Sequence, residues 1–128
     1  MPEKRCGGIP VLLVEDDASV RGGLAASLRA DGHTVYDYCS PAELPALVAL
    51  RVAVVISDYQ MPNTNGLAFA DAFHDVQPAV PVVLLTAFCA AASVCRRDFL
   101  KVQSKPFDYD ELHRLLHELT GEEAPAPA

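Results

Sequence analysis

The chain has 128 residues, with 17 acidic side chains against 10 Lys and Arg, a formal net charge of −7 and a pI near 4.9. Its basic residues form no cluster, so direct binding to nucleic acid or to an anionic membrane is not expected. A hydrophobic fraction of 51% excludes a disordered chain, this length suits one domain with a sizeable core, and no apolar run reaches membrane-spanning length.

Along the chain, residues 1–8 read as a flexible leader, 9–120 as the folded domain and 121–128 as a disordered Pro/Ala tail. Ile9 to Val14 is an apolar run that leads straight into Glu15-Asp16-Asp17. From Ser19 to Ala30, Val20, Leu24 and Leu28 recur every four positions and mark a helix face, with Gly32 placed to end it. His33 to Tyr38 predicts a second strand. Ser40-Pro41-Ala42-Glu43 is a capping box with proline at the first helical position, opening a helix to about Leu50.

Val52 to Ser57 is rich in β-branched residues, as in a strand buried on both faces of a parallel sheet, and it stops at Asp58. Met61-Pro62 and Asn65-Gly66 punctuate a loop, and a helix follows from Gly66 to about Val76. Val82 to Leu85 predicts a strand ending at Thr86, Ala90 to Arg97 a short helix, and Phe99 to Ser104 a strand leading to Lys105-Pro106. Asp108 caps a last helix with Leu112, Leu115, Leu116 and Leu119 inward. Strands alternating with helices imply a parallel sheet covered on both faces, joined by right-handed crossovers.

In such a sheet the ends of the first, third, fourth and fifth strands lie along one edge, where ligands bind. Glu15, Asp16, Asp58, Thr86 and Lys105 sit at those ends and can converge. Three carboxylates brought together need a bound cation, raised pKa values, or both, and oxygen-only ligands suit Mg²⁺. A carboxylate can also attack phosphorus, and catalysis of that transfer is mostly positioning and charge neutralisation. The parts needed for self-phosphorylation of Asp58 are all present.

These motifs resemble the response regulator receiver domain of two-component signalling. The likeness runs from Ile9 to Leu119 and rests on Val14-Glu15-Asp16, on Asp58-x-x-Met61-Pro62-x-x-x-Gly66, on Thr86-Ala87, on Lys105-Pro106-Phe107 and on the final amphipathic helix. The resemblance implies a flavodoxin-like (βα)5 doubly wound sheet of strand order 2-1-3-4-5. It implies that Asp58 accepts a phosphoryl group from a histidine kinase or phosphotransfer protein, with Lys105 contacting that group and Thr86 moving toward it. Asp16, Asp58 and the backbone carbonyl of Gln60 would ligate Mg²⁺, and Glu15 would act through a coordinated water. A cytoplasmic, stand-alone switch is then expected, binding a downstream partner or dimerising, with no turnover of an external substrate.

The sequence departs from the family in two places. Thr86 to Lys105 spans 105 − 86 = 19 positions, about one helical turn short of the usual spacing, which implies a shortened fourth helix. The aromatic residue usual three positions before the lysine is replaced by Val102, so either Phe99 substitutes for it or its coupling to Thr86 is lost. Phe88, two positions after Thr86, is expected to shield an acyl phosphate from water. A pseudo-receiver without phosphorylation is the alternative that these departures favour. A phosphohydrolase with an aspartyl nucleophile is disfavoured because Gln60 stands where such enzymes that resemble the haloacid dehalogenase family carry a second Asp.

Other reactive residues carry blander expectations. His113 and His117 are four apart, a spacing that suits two metal ligands, but with no third ligand evident they read as a solvated helix face. Cys6, Cys39, Cys89 and Cys95 form no Cys-x-x-Cys pair and read as reduced thiols.

Overall fold

A computed structural model describes residues 8–40, 50–61, 64–87 and 98–121. Residues 1–7 of the expected leader, 41–49 of the helix following the capping box, the shortened helix over Ala90 to Arg97, residues 122–128 of the tail, Phe88 and all cysteines except Cys39 lie outside the described residues. Cys39 is an exposed free thiol.

Five strands, β1 (Pro10–Val14), β2 (Thr34–Tyr38), β3 (Val54–Asp58), β6 (Val82–Thr86) and β7 (Leu100–Ser104), form one parallel sheet in the order β2-β1-β3-β6-β7. The parallel sheet is the one expected from the alternating pattern, and its order is the doubly wound one that the family resemblance implies. Between β3 and the next helix lies a small antiparallel pair, β4 (Gln60–Met61) with β5 (Thr64–Asn65), in a stretch expected to be loop. The described helices are α1 (Ala18–Ala30), α2 (Gly66–Val76) and α3 (Tyr109–Thr120).

Alternate residues of the central strands feed opposite faces of the sheet. Val11, Leu13, Val54, Ile56, Val83 and Leu85 pack under α1 and α3, against Leu24, Leu28, Leu112 and Leu116. Leu12, Val14, Val55, Val82, Leu84 and Leu100 pack under α2, against Phe69, Ala70 and Phe73. Because both faces are covered, β3 and β6 are buried along their whole length. That is why they read as apolar runs up to Ser57-Asp58 and Thr86.

Helix ends follow from local chemistry. Asp17 caps α1, its carboxylate accepting from the Ser19 and Val20 amides at 2.9 and 3.1 Å. Asn65 caps α2 through the Ala68 amide, and Asp108 caps α3 through the Asp110 amide. After α1 the chain turns through Gly32 at φ 94°, and after α3 through Gly121 at φ 76°.

The structure corrects one expectation. His113 and His117 do not form a solvated face: the His117 residue is 2% exposed and the His113 side chain 15%. The stripe of leucines on α3 is flanked by these two residues, and the turn after α1 delivers a third histidine, His33, against them. Phe99 is also placed. It stacks on His74 with ring centroids 3.9 Å apart, just before β7 begins and so at the end remote from Thr86. From there it cannot take the place of the missing aromatic, a position that Val102 occupies.

Candidate functional site

All five residues singled out at the strand ends line one cleft of about 440 Å³, together with Asp17, Gln60, Met61 and Ala87. Three parallel strands stop in register beside one another, which carries Glu15 past β1, Asp58 to the last position of β3 and Thr86 to that of β6. Backbone bonds hold the continuations. The Glu15 amide donates to the Tyr38 carbonyl at 3.0 Å, that of Tyr59 to Leu85 at 2.8 Å, and that of Lys105 to Thr86 at 2.8 Å. The Lys105–Pro106 peptide is cis.

The carboxylates have sharply different surroundings. Glu15 is fully buried, Asp58 is 7% exposed, and Asp16 faces solvent. Lys105 reaches both buried groups, with Nζ 3.0 Å from Glu15 Oε1 and 3.2 Å from Asp58 Oδ1. The second Glu15 oxygen accepts from the Asp17 amide at 3.1 Å. Glu15 is thus held on both oxygens, whereas Asp58 meets Lys105 through Oδ1 and shares a hydrogen bond with Asp16.

Burial pushes the Asp58 carboxyl up to about 6, with a hydrogen bond to Asp16 and the Glu15 charge adding to it and Lys105 opposing. For Lys105, burial by itself would lower the pKa. The Glu15 and Asp58 carboxylates outweigh it and hold the ammonium above its ordinary value. Oxygens of Glu15, Asp16 and Asp58 come within 4.8 Å of one another, a group that could hold a cation. One ammonium against three acidic groups leaves the cleft short of positive charge.

Two supporting residues were given no role in the site by the sequence reading, although Gly66 was named in its motif. Arg21 donates through Nη1 to the Glu15 carbonyl at 2.9 Å, pinning the acidic turn from the first turns of α1. Its signal was an arginine four residues beyond the acidic run. Gly66 begins α2 directly against the end of β3, and its amide donates to the Tyr59 carbonyl at 2.6 Å. A Cβ there would run into the Asp58 carbonyl oxygen and come within 2.9 Å of Leu84 Cδ2 and Tyr59 Cα. Its signal was the fixed spacing from Asp58, which the loop reading of Asn65-Gly66 explained only in part.

Comparison with known proteins agrees with this arrangement. Residues 11–117 match the response regulator receiver domain family. The chain is 35% identical over 105 residues to the DNA-binding transcriptional regulator NtrC of Escherichia coli, covering 79% of this chain and 22% of that one. It is 32% identical over 120 residues to the transcriptional regulatory protein GlrR of the same organism, covering 91% and 27%. The chain therefore spans roughly a quarter of the length of these relatives. Among solved structures, a response regulator receiver protein from Sinorhizobium medicae superposes with a TM-score of 0.81 at 18% identity, over 89% of this chain and 95% of that one. Chemotaxis protein CheY4 of Vibrio cholerae does so at 0.75 and 24%, over 88% and 98%. At these identities the likeness shows the fold, while the family match and the curated relatives carry the assignment. With its acidic cleft, lysine and threonine gathered at one edge of a 2-1-3-4-5 sheet, the chain belongs to the response regulator receiver family of two-component systems.

Proposed function

We propose that Asp58 is the phosphoacceptor of this receiver, taking its phosphoryl group from a histidine kinase or phosphotransfer protein in a Mg²⁺-dependent reaction. The observation that carries this reading is Lys105 Nζ bridging Glu15 Oε1 and Asp58 Oδ1 at the mouth of the acidic cleft.

An Asp58 carboxylate oxygen attacks phosphorus, the bond from phosphorus to the donor's histidine nitrogen breaks, and that nitrogen leaves with the electron pair. Lys105 then faces the transferred group and neutralises one of its oxygens. Thr86, at the end of β6, offers its hydroxyl to another and reports the change to the surrounding loop. The donor set fits Mg²⁺, because it is all oxygen and the raised Asp58 pKa marks charge that a cation would relieve. Asp16, Asp58 and the Gln60 carbonyl would hold the ion. Glu15, already engaged by Lys105 and the Asp17 amide, would act through a water. When bound, the ion supplies neutralisation of the phosphoryl charge.

The chain acts as a switch rather than turning over an external substrate, and its partners are proteins. The relatives' DNA binding concerns whole chains about four times as long, and the acidic balance here supports no direct DNA role for this portion. No described helix is long and apolar enough to cross a membrane, which is compatible with the cytoplasmic location expected.

Acetyl phosphate with Mg²⁺ should add one phosphoryl group to the intact protein, measured by mass. It should add none to Asp58→Ala, and little without Mg²⁺. Equal labelling of Asp58→Ala, or none of the wild type despite Mg²⁺ binding, rejects the proposal. The second of these results would make the chain a pseudo-receiver, the reading that Val102 favours.

A further inference from the structure

At the opposite edge of the sheet from Asp58, three histidines from distant parts of the chain turn their ring nitrogens toward one point. His33 lies just before β2 and is 5% exposed, and His113 and His117 lie one turn apart on α3. His33 Nε2 is 2.6 Å from His113 Nε2, and His117 Nε2 is 3.2 Å from that same atom. All three residues offer a nitrogen within 4.8 Å of the others.

A neutral imidazole nitrogen has one in-plane lone pair, so His113 Nε2 can accept well from only one of the two nitrogens closing on it. Three converging nitrogens are better served by a cation that takes a lone pair from each. We propose that His33, His113 and His117 form a transition-metal site, for Zn²⁺ or a similar imidazole-preferring divalent ion, that pins α3 to the start of the sheet.

Tetrahedral Zn²⁺ with ordinary zinc–nitrogen bonds sets nitrogens about 3.3 Å apart. The His113–His117 spacing already meets that value, and the His33–His113 spacing has to open by less than about 1 Å. Around the nitrogens is the support that metal-binding histidines use. His113 Nδ1 faces Asp31 Oδ2 at 3.8 Å, the Tyr109 hydroxyl holds that same oxygen at 2.7 Å, and the Tyr109 ring stacks on His113. Three protein nitrogens leave one coordination position for water, and half-exposed Asp31 marks the side open to solvent.

Metal uptake has a cost that makes the proposal specific. His33 Nδ1 accepts from the Ile9 amide at 3.0 Å, which places the ring proton of metal-free neutral His33 on Nε2. To ligate through Nε2, His33 must move that proton to Nδ1 and release the Ile9 amide. Zinc binding therefore has a signature that no ion in the Asp58 cleft would produce. The oxygen-lined cleft prefers Mg²⁺, whereas this nitrogen site selects Zn²⁺, Co²⁺ or Cu²⁺.

The test is Zn²⁺ titration of the full chain in saturating Mg²⁺, followed by calorimetry and by amide NMR, with Co²⁺ as the absorbing probe. Expected are one bound ion, a shift of the Ile9 amide resonance, an intense tetrahedral Co²⁺ spectrum, and affinity at least tenfold lower in His113→Gln. The wild-type NMR and Co²⁺ readouts stand even where that variant folds poorly. Absence of binding overturns the proposal. So does zinc that leaves Ile9 unmoved or that binds His113→Gln equally well. Either result leaves the Asp58 reading intact, since labelling by acetyl phosphate does not depend on it.

Discussion

Replacing Lys105 with Met removes the one described ammonium that touches both buried carboxylates while keeping its aliphatic stem. At an effective dielectric of about 20, each contact near 3 Å is worth roughly 5 kcal/mol before desolvation is counted. Orphaning a buried charge costs a net of about 3–5 kcal/mol. Two features reduce that figure. The Lys105 side chain is 23% exposed, so water already screens part of the pair. In addition, Asp58 titrates near 6, so protonating it at about pH 7.5 costs only ~2 kcal/mol and caps its share of the loss. Glu15 is fully buried, so water screens its contact with Lys105 less than a surface pair. A loss of about 2–3 kcal/mol in metal-free protein follows.

The sign with pH is definite. The folded Lys105 pKa is raised, so its contribution is complete below the ordinary lysine value and fades only as pH rises through the folded one. On the acid side the deficit shrinks, because below about 6 Asp58 takes a proton and no longer needs the ammonium. Urea unfolding of both proteins in chelator, at about pH 7.5 and 5.5, measures this. A deficit under about 0.5 kcal/mol at both pH values, or one that grows on acidification, would refute the charge account of the cleft.

Asp58→Asn should stabilise metal-free protein at neutral pH by about 1–2 kcal/mol, less than full conversion of the shift because water reaches the cleft mouth. Asp58's raised pKa makes its ionised form costly above about 6 and costless below the ordinary aspartate value, so the gain should vanish by about pH 3.5 in paired urea melts. Gly66→Ala should destabilise by about 1–3 kcal/mol, since the new methyl meets backbone atoms of Asp58 and Tyr59 that cannot swing aside. An unchanged Tm would show that α2 is free to shift away from β3. Asp17→Ala removes both capping bonds of α1 and should cost about 1 kcal/mol by urea melts, with Asp17→Asn recovering most of it.

Much of this protein is legible from residue order alone. Strands β1, β3 and β6 are apolar up to the polar residues at their C-terminal ends because both their faces are covered, and alternation with helices then dictates a parallel sheet. A parallel sheet puts all strand ends that follow such runs on one edge, so residue order alone gathers Glu15, Asp16, Asp58, Thr86 and Lys105 there. Tertiary structure alone decided which carboxylate is buried, that Lys105 spans Glu15 and Asp58, and that Phe99 stacks on His74 far from Thr86. The histidines make the limit plainest. Along a helix His113 and His117 stand about 100° beyond Leu112 and Leu116, on the border between core and solvent. Periodicity cannot say whether such a border is wet. Here the turn after α1 carries His33 across a gap of 80 residues to cover it, and burial at a border is set by neighbours remote in sequence.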